Sequence, residues 1–272
     1  MELKAVGYAA DLRVATITLN RPHRLNAWTG RMHTEYRWCV QQAEDDPEVR
    51  AIIVTGAGRA FCAGADATAL EGHNEKGGYD PGTNAAELAM PGYGVRPEFN
   101  ENFAYHFGLA KPVIAAINGP AAGVGLVLAC YADIRFAVAD AKLTTSHGKL
   151  GLPAEYGLSW LLPRLIGVSR ANDLLLSSRV VLASEGERMG LINAVFETAD
   201  EMLEHANGYA RMLATQVAPS SLRETKRQIY TDLHGDVGAS VRESEALLNR
   251  MMTEPDFREG VRAFVGKRPP EF

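Results

Sequence analysis

The chain has few cysteines and no excess of positive charge. Cys39, Cys62 and Cys130 are an odd number, and no two of them have CxxC spacing. Neither a disulfide framework nor a zinc ribbon is therefore expected, and no metal site is predicted. The formal net charge of the 272 residues is −5, so the sequence has no electrostatic footprint for DNA or RNA. These absences favour a cytoplasmic protein without a nucleic-acid partner.

Long uninterrupted hydrophobic runs are also missing. The most apolar stretch, residues 113–139, is broken by Asn118, Gly119, Pro120 and Asp133. A transmembrane helix needs about 20 consecutive apolar residues, and the N-terminal residues lack the apolar core of a signal peptide. We therefore expect this stretch to form a buried strand, a turn and a helix, and we expect no membrane partner.

The pattern of apolar residues divides the chain into two parts. Up to about residue 153, short β-branched runs predict buried strands between helices, and the later part is mainly helical. The predicted strands cover 14–20, 51–55, 113–117, 134–138 and 142–145. The first predicted helix begins after Thr29, which is its expected N-cap. Further predicted helices cover 121–131, 158–166, 170–176, 184–189, 201–216, 220–233 and 237–252. A last helix is predicted to begin at Asp256, because Asp256 and Glu259 have the spacing of a capping box. This order predicts an α/β core followed by a helical region.

Two segments, residues 52–66 and 115–125, share one design. Each has a buried strand, a turn of small residues and a helix start. Free amides at a helix start carry partial positive charge, and small side chains let a ligand approach them closely. Neither turn has the phosphate-loop pattern GxxxxGK[ST] or the third glycine of the dinucleotide fingerprint. Close strand–helix packing would explain one such turn, whereas two of them favour a site that holds an oxyanion.

These turns belong to a longer series of motifs. The motifs are NRP at 20–22, LNA at 25–27, GRAFCAGAD at 58–66, NGPAAGVG at 118–125, ADIR at 132–135, GLP at 151–153, LLPRLIG at 161–167 and EGVRAF at 259–264. In this order the chain resembles the enoyl-CoA hydratase/isomerase (crotonase) family over essentially its whole length. The resemblance implies an α/β fold, a spiral of ββα turns over residues 1–200 that holds the acyl-CoA site. It also implies a helical trimerisation region over residues 201–272, in a homotrimer or homohexamer.

The resemblance implies a catalytic role for four residues. The backbone N–H groups of Ala65 and Val124 would form an oxyanion hole, which stabilises the enolate of a thioester without a metal. The family's hydratases use two glutamates, and the matching positions here are Val127 and His147. Glu155 matches the position at which the family's double-bond isomerases keep a single acid/base carboxylate. His147 would be either a second polar group that faces the substrate or a packed, hydrogen-bonded histidine.

Isomerisation of an enoyl-CoA with Glu155 as acid/base is therefore the predicted activity. Addition of water to a trans-2-enoyl-CoA is the alternative reaction, and an inactive CoA-binding oligomer is the alternative of another class. Glu155 would otherwise be a carboxylate favoured by a helix N-terminus, or paired with Arg164 or another nearby cation. The sequence lacks the G-x-S-x-G elbow of a serine hydrolase. A cysteine nucleophile is also not expected, because the sequence shows no activating partner for Cys62.

Coenzyme A, as part of the substrate, is the only cofactor that the resemblance implies. Arg24, the backbone around Ala63, and Asp66 would meet its nucleotide end, and Phe264 and Lys267 would reach it from a neighbouring subunit. Residues 71–100 are rich in glycine and proline and lack periodicity, so they form either a functional loop or a dispensable insertion. In or beside this segment are candidates for an acyl tunnel (Tyr79, Met90, Tyr93, Phe99, Phe103) and for a second carboxylate (Glu87, Glu98, Glu101).

Overall fold

The computed structural model describes residues 1–68, 71–72 and 99–272. The strands in this part are β1 Val6–Asp11, β2 Val14–Leu19, β3 Ala51–Gly56, β4 Val113–Ile117, β5 Ala121–Ala122, β6 Ile134–Val138, β7 Lys142–Thr144, β8 Val181–Leu182 and β9 Ala194–Phe196. The α-helices in the same part are α1 Gly30–Asp45, α2 Val124–Cys130, α3 Leu158–Ile166, α4 Val168–Ser177, α5 Ala183–Met189, α6 Ala199–Gln216, α7 Pro219–Asp232, α8 Val237–Met251 and α9 Pro255–Gly266. No helix among these residues is long and apolar enough to cross a membrane.

Six strands form the main sheet in the order β1-β2-β3-β4-β6-β9. Strands β1 and β2 are antiparallel, and every other pair in this sheet is parallel. All six residues of β3 are buried, as expected for a parallel strand with covered faces. A second sheet has the order β5-β7-β8. Because β3 and β4 are parallel neighbours, the turns that follow them emerge at the same edge of the main sheet.

The predicted α/β core and the helices after it are confirmed, with differences at element ends and with two strands, β8 and β9, that the sequence analysis did not predict. Thr29 caps α1 as predicted, because its side chain accepts a hydrogen bond from the Met32 amide at 3.2 Å. The helix predicted over 121–131 begins only at Val124, since Ala121–Ala122 pair with β7 as a strand. Because the backbone groups of these two residues bond to β7, they are not available for hydrogen bonds within the helix.

The capping box predicted at the start of the last helix was wrong. Helix α9 begins at Pro255, and the side chain of its N-cap residue, Glu254, forms no capping hydrogen bond. Asp256 instead accepts hydrogen bonds from Ser220, with the hydroxyl at 2.6 Å. Glu259 is bound by the Arg268 guanidinium, also at 2.6 Å. Partners that are distant in sequence or supplied by the C-terminal segment therefore replace the local capping pair.

Helix α7 is attached to the sheet through one partly buried carboxylate. Asp133 precedes β6 and accepts hydrogen bonds from the Val113 amide, the Lys226 ammonium and the Tyr230 hydroxyl, each at 2.7 Å. Lys226 also donates to the carbonyl of Lys111 at 2.9 Å. Because Lys226 is only 7% exposed, its charge depends on this carboxylate for compensation.

Replacing Asp133 by alanine is expected to lower the free energy of unfolding by about 3–5 kcal/mol, because the Lys226 ammonium stays buried without its counter-charge. Urea denaturation at pH 7 and fixed protein concentration measures this loss. The double variant Asp133→Ala with Lys226→Met removes both charges and should recover part of the stability. A loss below about 1 kcal/mol for the single variant, typical of exposed pairs, would refute the anchoring role.

Candidate active site

The turns after β3 and β4 lie against each other. The Cys62 amide donates to the Pro120 carbonyl at 3.1 Å, and the Ala122 amide donates to the Cys62 carbonyl at 2.9 Å. A Cβ atom on Gly125 would lie 2.2 Å from the Cys62 carbonyl oxygen. Only glycine therefore allows the start of α2 to approach the first turn this closely.

The N–H group of Ala65 points away from Trp28, whose backbone pairs with Gly64 and Asp66. The Trp28 amide donates to the Gly64 carbonyl at 2.7 Å, and the Asp66 amide donates to the Trp28 carbonyl at 3.0 Å. The Gly64 carbonyl and the Ala65 N–H belong to one trans peptide group, so they point in opposite directions. Ala65 is exposed, so a ligand can reach this amide on the side opposite Trp28.

The N–H group of Val124 points out of the N-terminal end of α2. The Gly123 carbonyl accepts the first helical hydrogen bond, from Val127 at 3.0 Å. Because the Val124 N–H belongs to the same trans peptide group, it points in the opposite direction. The Gly64 Cα atom lies 3.9 Å from the position of a Cβ on Gly123. The two peptide groups that end in Ala65 and Val124 therefore begin at neighbouring glycines.

Glu155 lies beside this pair of peptide groups. Its Oε2 atom is 3.8 Å from the position of a Cβ on Gly123. Glu155 lies in the turn before α3, where its carbonyl accepts a hydrogen bond from the Leu158 amide at 2.9 Å, and the Tyr131 hydroxyl holds the next residue through the Tyr156 carbonyl at 2.7 Å. Burial raises the pKa of Glu155, and the charge of His147 opposes this effect. The Glu155 side chain is half-buried.

The structure decides between the sequence interpretations of several neighbours of Glu155. Among the described residues, Arg164 forms no ion pair with Glu155; its guanidinium lies 4.0 Å above the Trp160 ring. Val127 is a buried apolar residue of α2. His147 is also buried, and it acts on Glu155 through its charge. No carboxylate therefore occupies the positions of Val127 and His147.

The backbone around His147 is fixed by one buried serine. Ser178 is fully buried, and its hydroxyl accepts hydrogen bonds from the Thr145 hydroxyl at 3.1 Å and from the Gly148 amide at 3.0 Å. The neighbouring Thr144 carbonyl accepts a hydrogen bond from the Gly123 amide at 3.0 Å. Ser178 therefore connects the end of α4 to the segment that carries His147. No sequence pattern indicates this connection, since Ser178 belongs to no motif.

The residues predicted to meet coenzyme A fall into two groups. Arg24 is exposed, and Ala63 donates its N–H to the Leu25 carbonyl at 3.0 Å. Asp66 pairs with Arg21 at 2.9 Å; burial raises the pKa of this carboxyl, but the hydrogen bond and charge of Arg21 outweigh burial and lower it. Phe264 and Lys267, at the other end of the chain, are both exposed, and Phe264 lines a groove among α7, α8 and α9.

The two residues that directly follow Glu155 in the chain line an aromatic pocket. Tyr156 and Gly157 line it together with the rings of Phe99, Phe107, Tyr131 and Trp160. Glu101, one of the predicted second carboxylates, is exposed at this pocket. Phe103 packs edge-on against Tyr156 with 5.0 Å between ring centroids. The predicted roles of Glu87, Glu98, Tyr79, Met90 and Tyr93 fall on residues outside the described part.

The described residues contain no cluster of metal-binding side chains, and their cysteine thiols are buried. Within 1–68, 71–72 and 99–272, no group of three or more histidine, cysteine or acidic residues could hold a metal ion. All three cysteines are buried free thiols. Burial raises the pKa of Cys62 to about 12, although the hydrogen bond to the Gly64 carbonyl opposes it. This thiol is a packing residue beneath the first turn.

Comparison with known proteins gives a consistent family match. The profile described as enoyl-CoA hydratase/isomerase matches residues 10–272. The chain is 38% identical over 263 residues to 1,2-epoxyphenylacetyl-CoA isomerase of Escherichia coli K12, covering 95% of this chain and 94% of that protein. The crystal structure of an enoyl-CoA hydratase from Bacillus anthracis superimposes with a TM-score of 0.86, at 28% identity and over 99% of each chain. The predicted crotonase-like fold is thereby confirmed.

Proposed function

Because the chain belongs to the enoyl-CoA hydratase/isomerase (crotonase) family of enzymes, we propose that it moves a carbon–carbon double bond of an enoyl-CoA with Glu155 as acid and base. The position of the Glu155 carboxylate, 3.8 Å from the Cβ position of Gly123, carries this proposal. One proton-transfer group lies beside two outward-facing amides, while Val127 and His147 stand where hydration would need glutamates. The E. coli relative is named an isomerase of an epoxyphenylacetyl-CoA, a CoA thioester other than an enoyl-CoA.

In the proposed reaction the thioester oxygen accepts hydrogen bonds from the N–H groups of Ala65 and Val124. The Glu155 carboxylate takes a proton from C2 of a 3-enoyl-CoA, and the electrons of that C–H bond form a dienolate whose charge rests on the thioester oxygen. Glu155 then returns a proton to C4, so the double bond moves from C3–C4 to C2–C3. Each of the two amides stabilises the dienolate more than the substrate, which lowers the barrier.

We assign the ends of coenzyme A to the two groups of predicted contacts. Arg24 and the Ala63 backbone meet the nucleotide, and Asp66 acts indirectly by holding Arg21 with its ion pair. Phe264 and Lys267 serve a neighbouring copy in a homotrimer or homohexamer, with residues 1–200 as the catalytic core and 201–272 as the oligomerisation region. Phe264 is 86% exposed, which agrees with a partner at this position. The proposed reaction needs no cofactor besides the coenzyme A of the substrate.

Incubation with a cis-3-enoyl-CoA and, separately, a trans-2-enoyl-CoA in deuterated water tests the reaction. We expect the 3-enoyl substrate to become trans-2-enoyl-CoA, with any solvent deuterium at C4 and C2. Formation of 3-hydroxyacyl-CoA from the 2-enoyl substrate would instead establish a hydratase. If neither substrate nor any other acyl-CoA turns over, the inactive CoA-binding oligomer is the better assignment.

The pH dependence of the reaction should report the burial of Glu155. A base must be ionised, so kcat/KM falls as pH drops through the pKa of this carboxyl in the free enzyme. Because burial raises that pKa from 4.5, despite the opposing charge of His147, we expect the acid limb of the profile above pH 4.5. A rate profile measured with the 3-enoyl substrate checks this. An acid limb at or below pH 4.5 would contradict the desolvated carboxylate.

A further inference from the structure

We infer that the acyl group of the substrate ends in an aromatic ring, which binds in the aromatic pocket beside Glu155. This inference rests on the proposed function for the position of the reacting carbons, and it adds the substrate class. The pocket of about 440 Å³ falls within the roughly 300–1,000 Å³ of small-molecule sites. Tyr156 and Gly157, which line the pocket, directly follow Glu155 in the chain, so the pocket is adjacent to the proposed acid/base.

The walls of the pocket are rigid rings held in fixed orientations. Phe107 stacks on Tyr230 with a centroid distance of 3.8 Å, and the Trp160 ring is nearly parallel to the His234 ring at 5.4 Å. Phe99 stands edge-on to Phe107 at 5.6 Å. Aromatic rings attract one another in edge-to-face and offset-stacked arrangements, so a further ring entering the pocket gains directed contacts that an alkyl chain lacks.

Small residues leave the space between these rings. Ala104 and Gly157 contribute almost no side-chain volume to the wall, while Phe99, Phe107 and Tyr131 are all buried. A linear acyl chain would have to lose its internal rotational freedom to fill a pocket of this shape, whereas a ring enters already rigid. The shape and the chemistry of the walls therefore both favour an aryl group over an alkyl chain.

Two acyl-CoA thioesters whose acyl groups have ten carbons each, and no alkene double bond, test this inference by binding alone. Isothermal titration calorimetry with the assembled protein gives the Kd of 4-phenylbutanoyl-CoA and of decanoyl-CoA. We expect the aryl compound to bind at least tenfold more tightly. Equal affinities, or tighter binding of decanoyl-CoA, would overturn the aromatic assignment. Since neither compound can isomerise, a failure here is distinguishable from a failure of the proposed reaction.

Substitutions of residues that line the pocket test whether the phenyl ring of the aryl compound binds there. Trp160→Leu should bring the ratio of the two Kd values towards one, and Ala104→Leu, which fills the pocket, should weaken the aryl compound selectively. Tyr8→Leu, on β1 at the edge of the main sheet, replaces a half-buried aromatic residue outside the pocket and should keep the ratio. If either pocket variant folds and leaves an aryl preference of tenfold or more unchanged, the ring binds elsewhere and the inference is wrong.

Discussion

Replacing Glu155 by glutamine is expected to reduce kcat for the 3-enoyl substrate by about 10²–10⁴-fold, the usual contribution of one general acid–base group. Glutamine keeps the shape of the side chain but cannot accept the C2 proton. The Kd of a saturated acyl-CoA should stay nearly constant, since the proposed oxyanion hole and the aromatic pocket are unchanged. Steady-state kinetics and titration calorimetry together separate loss of chemistry from loss of binding.

The matched control for this variant is Glu204→Gln. Glu204 is an exposed residue of α6 and lies outside the proposed site, so its replacement should leave kcat within about twofold of the wild type. Full turnover by Glu155→Gln would remove Glu155 from the mechanism and, with it, the isomerase proposal. A loss of similar size in Glu204→Gln would show that the assay responds to something other than the active-site carboxylate.

The stability of Glu155→Gln gives a second readout with a definite sign. Below pH 4.5 the carboxyl is protonated in both the folded and the unfolded chain, so variant and wild type should be equally stable. As pH rises through the raised pKa, the folded protein must carry a desolvated carboxylate that the unfolded chain hydrates. The variant should therefore be more stable than the wild type at pH 8 but not at pH 4. This pattern would also show that lost activity does not come from unfolding.

Replacing Val124 by proline is expected to reduce kcat by about 10²–10³-fold, because it removes one of the two proposed oxyanion donors. Val124 is the first residue of α2 after its N-cap, Gly123. Proline is favoured at this helix position, since its missing N–H has no acceptor within the helix. The substitution therefore replaces the N–H donor by the Cδ atom of the proline ring, which cannot donate a hydrogen bond to the thioester oxygen, while the helix can still form.

Val124→Ala is the control for this second variant. It shortens the same side chain but keeps the N–H group, so any effect of lost packing appears in both variants and the catalytic loss appears only with proline. Circular dichroism and thermal unfolding check that both variants fold. Equal kcat values for the alanine and proline variants would show that the Val124 amide does not contact the reacting oxygen, and Ala65 would then have to act with another donor.

Strand positions and the type of site could be predicted from local sequence because local residues determine them. Val113–Ile117 is a run of apolar residues closed by polar ones, and it forms the buried strand that this pattern indicates. Thr29 caps its helix with its own side chain, within three residues. The small residues of the two turns likewise indicated close backbone approach, because bulk at a position such as Gly125 is excluded by the neighbouring turn.

Contacts between distant segments could not be predicted, since no local pattern specifies them. Asp256 and Glu259 have the spacing of a capping box, yet their carboxylates bind Ser220 and Arg268. The start of α2 depends on pairing between Ala121–Ala122 and β7, which only the folded chain brings together. In each case a partner supplied by the tertiary structure competes with the local one for the same polar group.

Local sequence patterns were therefore enough for the order of most elements, for the family resemblance and for the choice of Ala65, Val124 and Glu155 as candidates. Folding was needed to show that the Glu155 carboxylate faces Gly123, that Arg164 lies on Trp160 and that aromatic rings line the adjacent pocket. The reason is that a motif determines backbone conformation over a few residues, whereas the direction of a side chain and the walls of a pocket depend on packing between segments that are far apart in the chain.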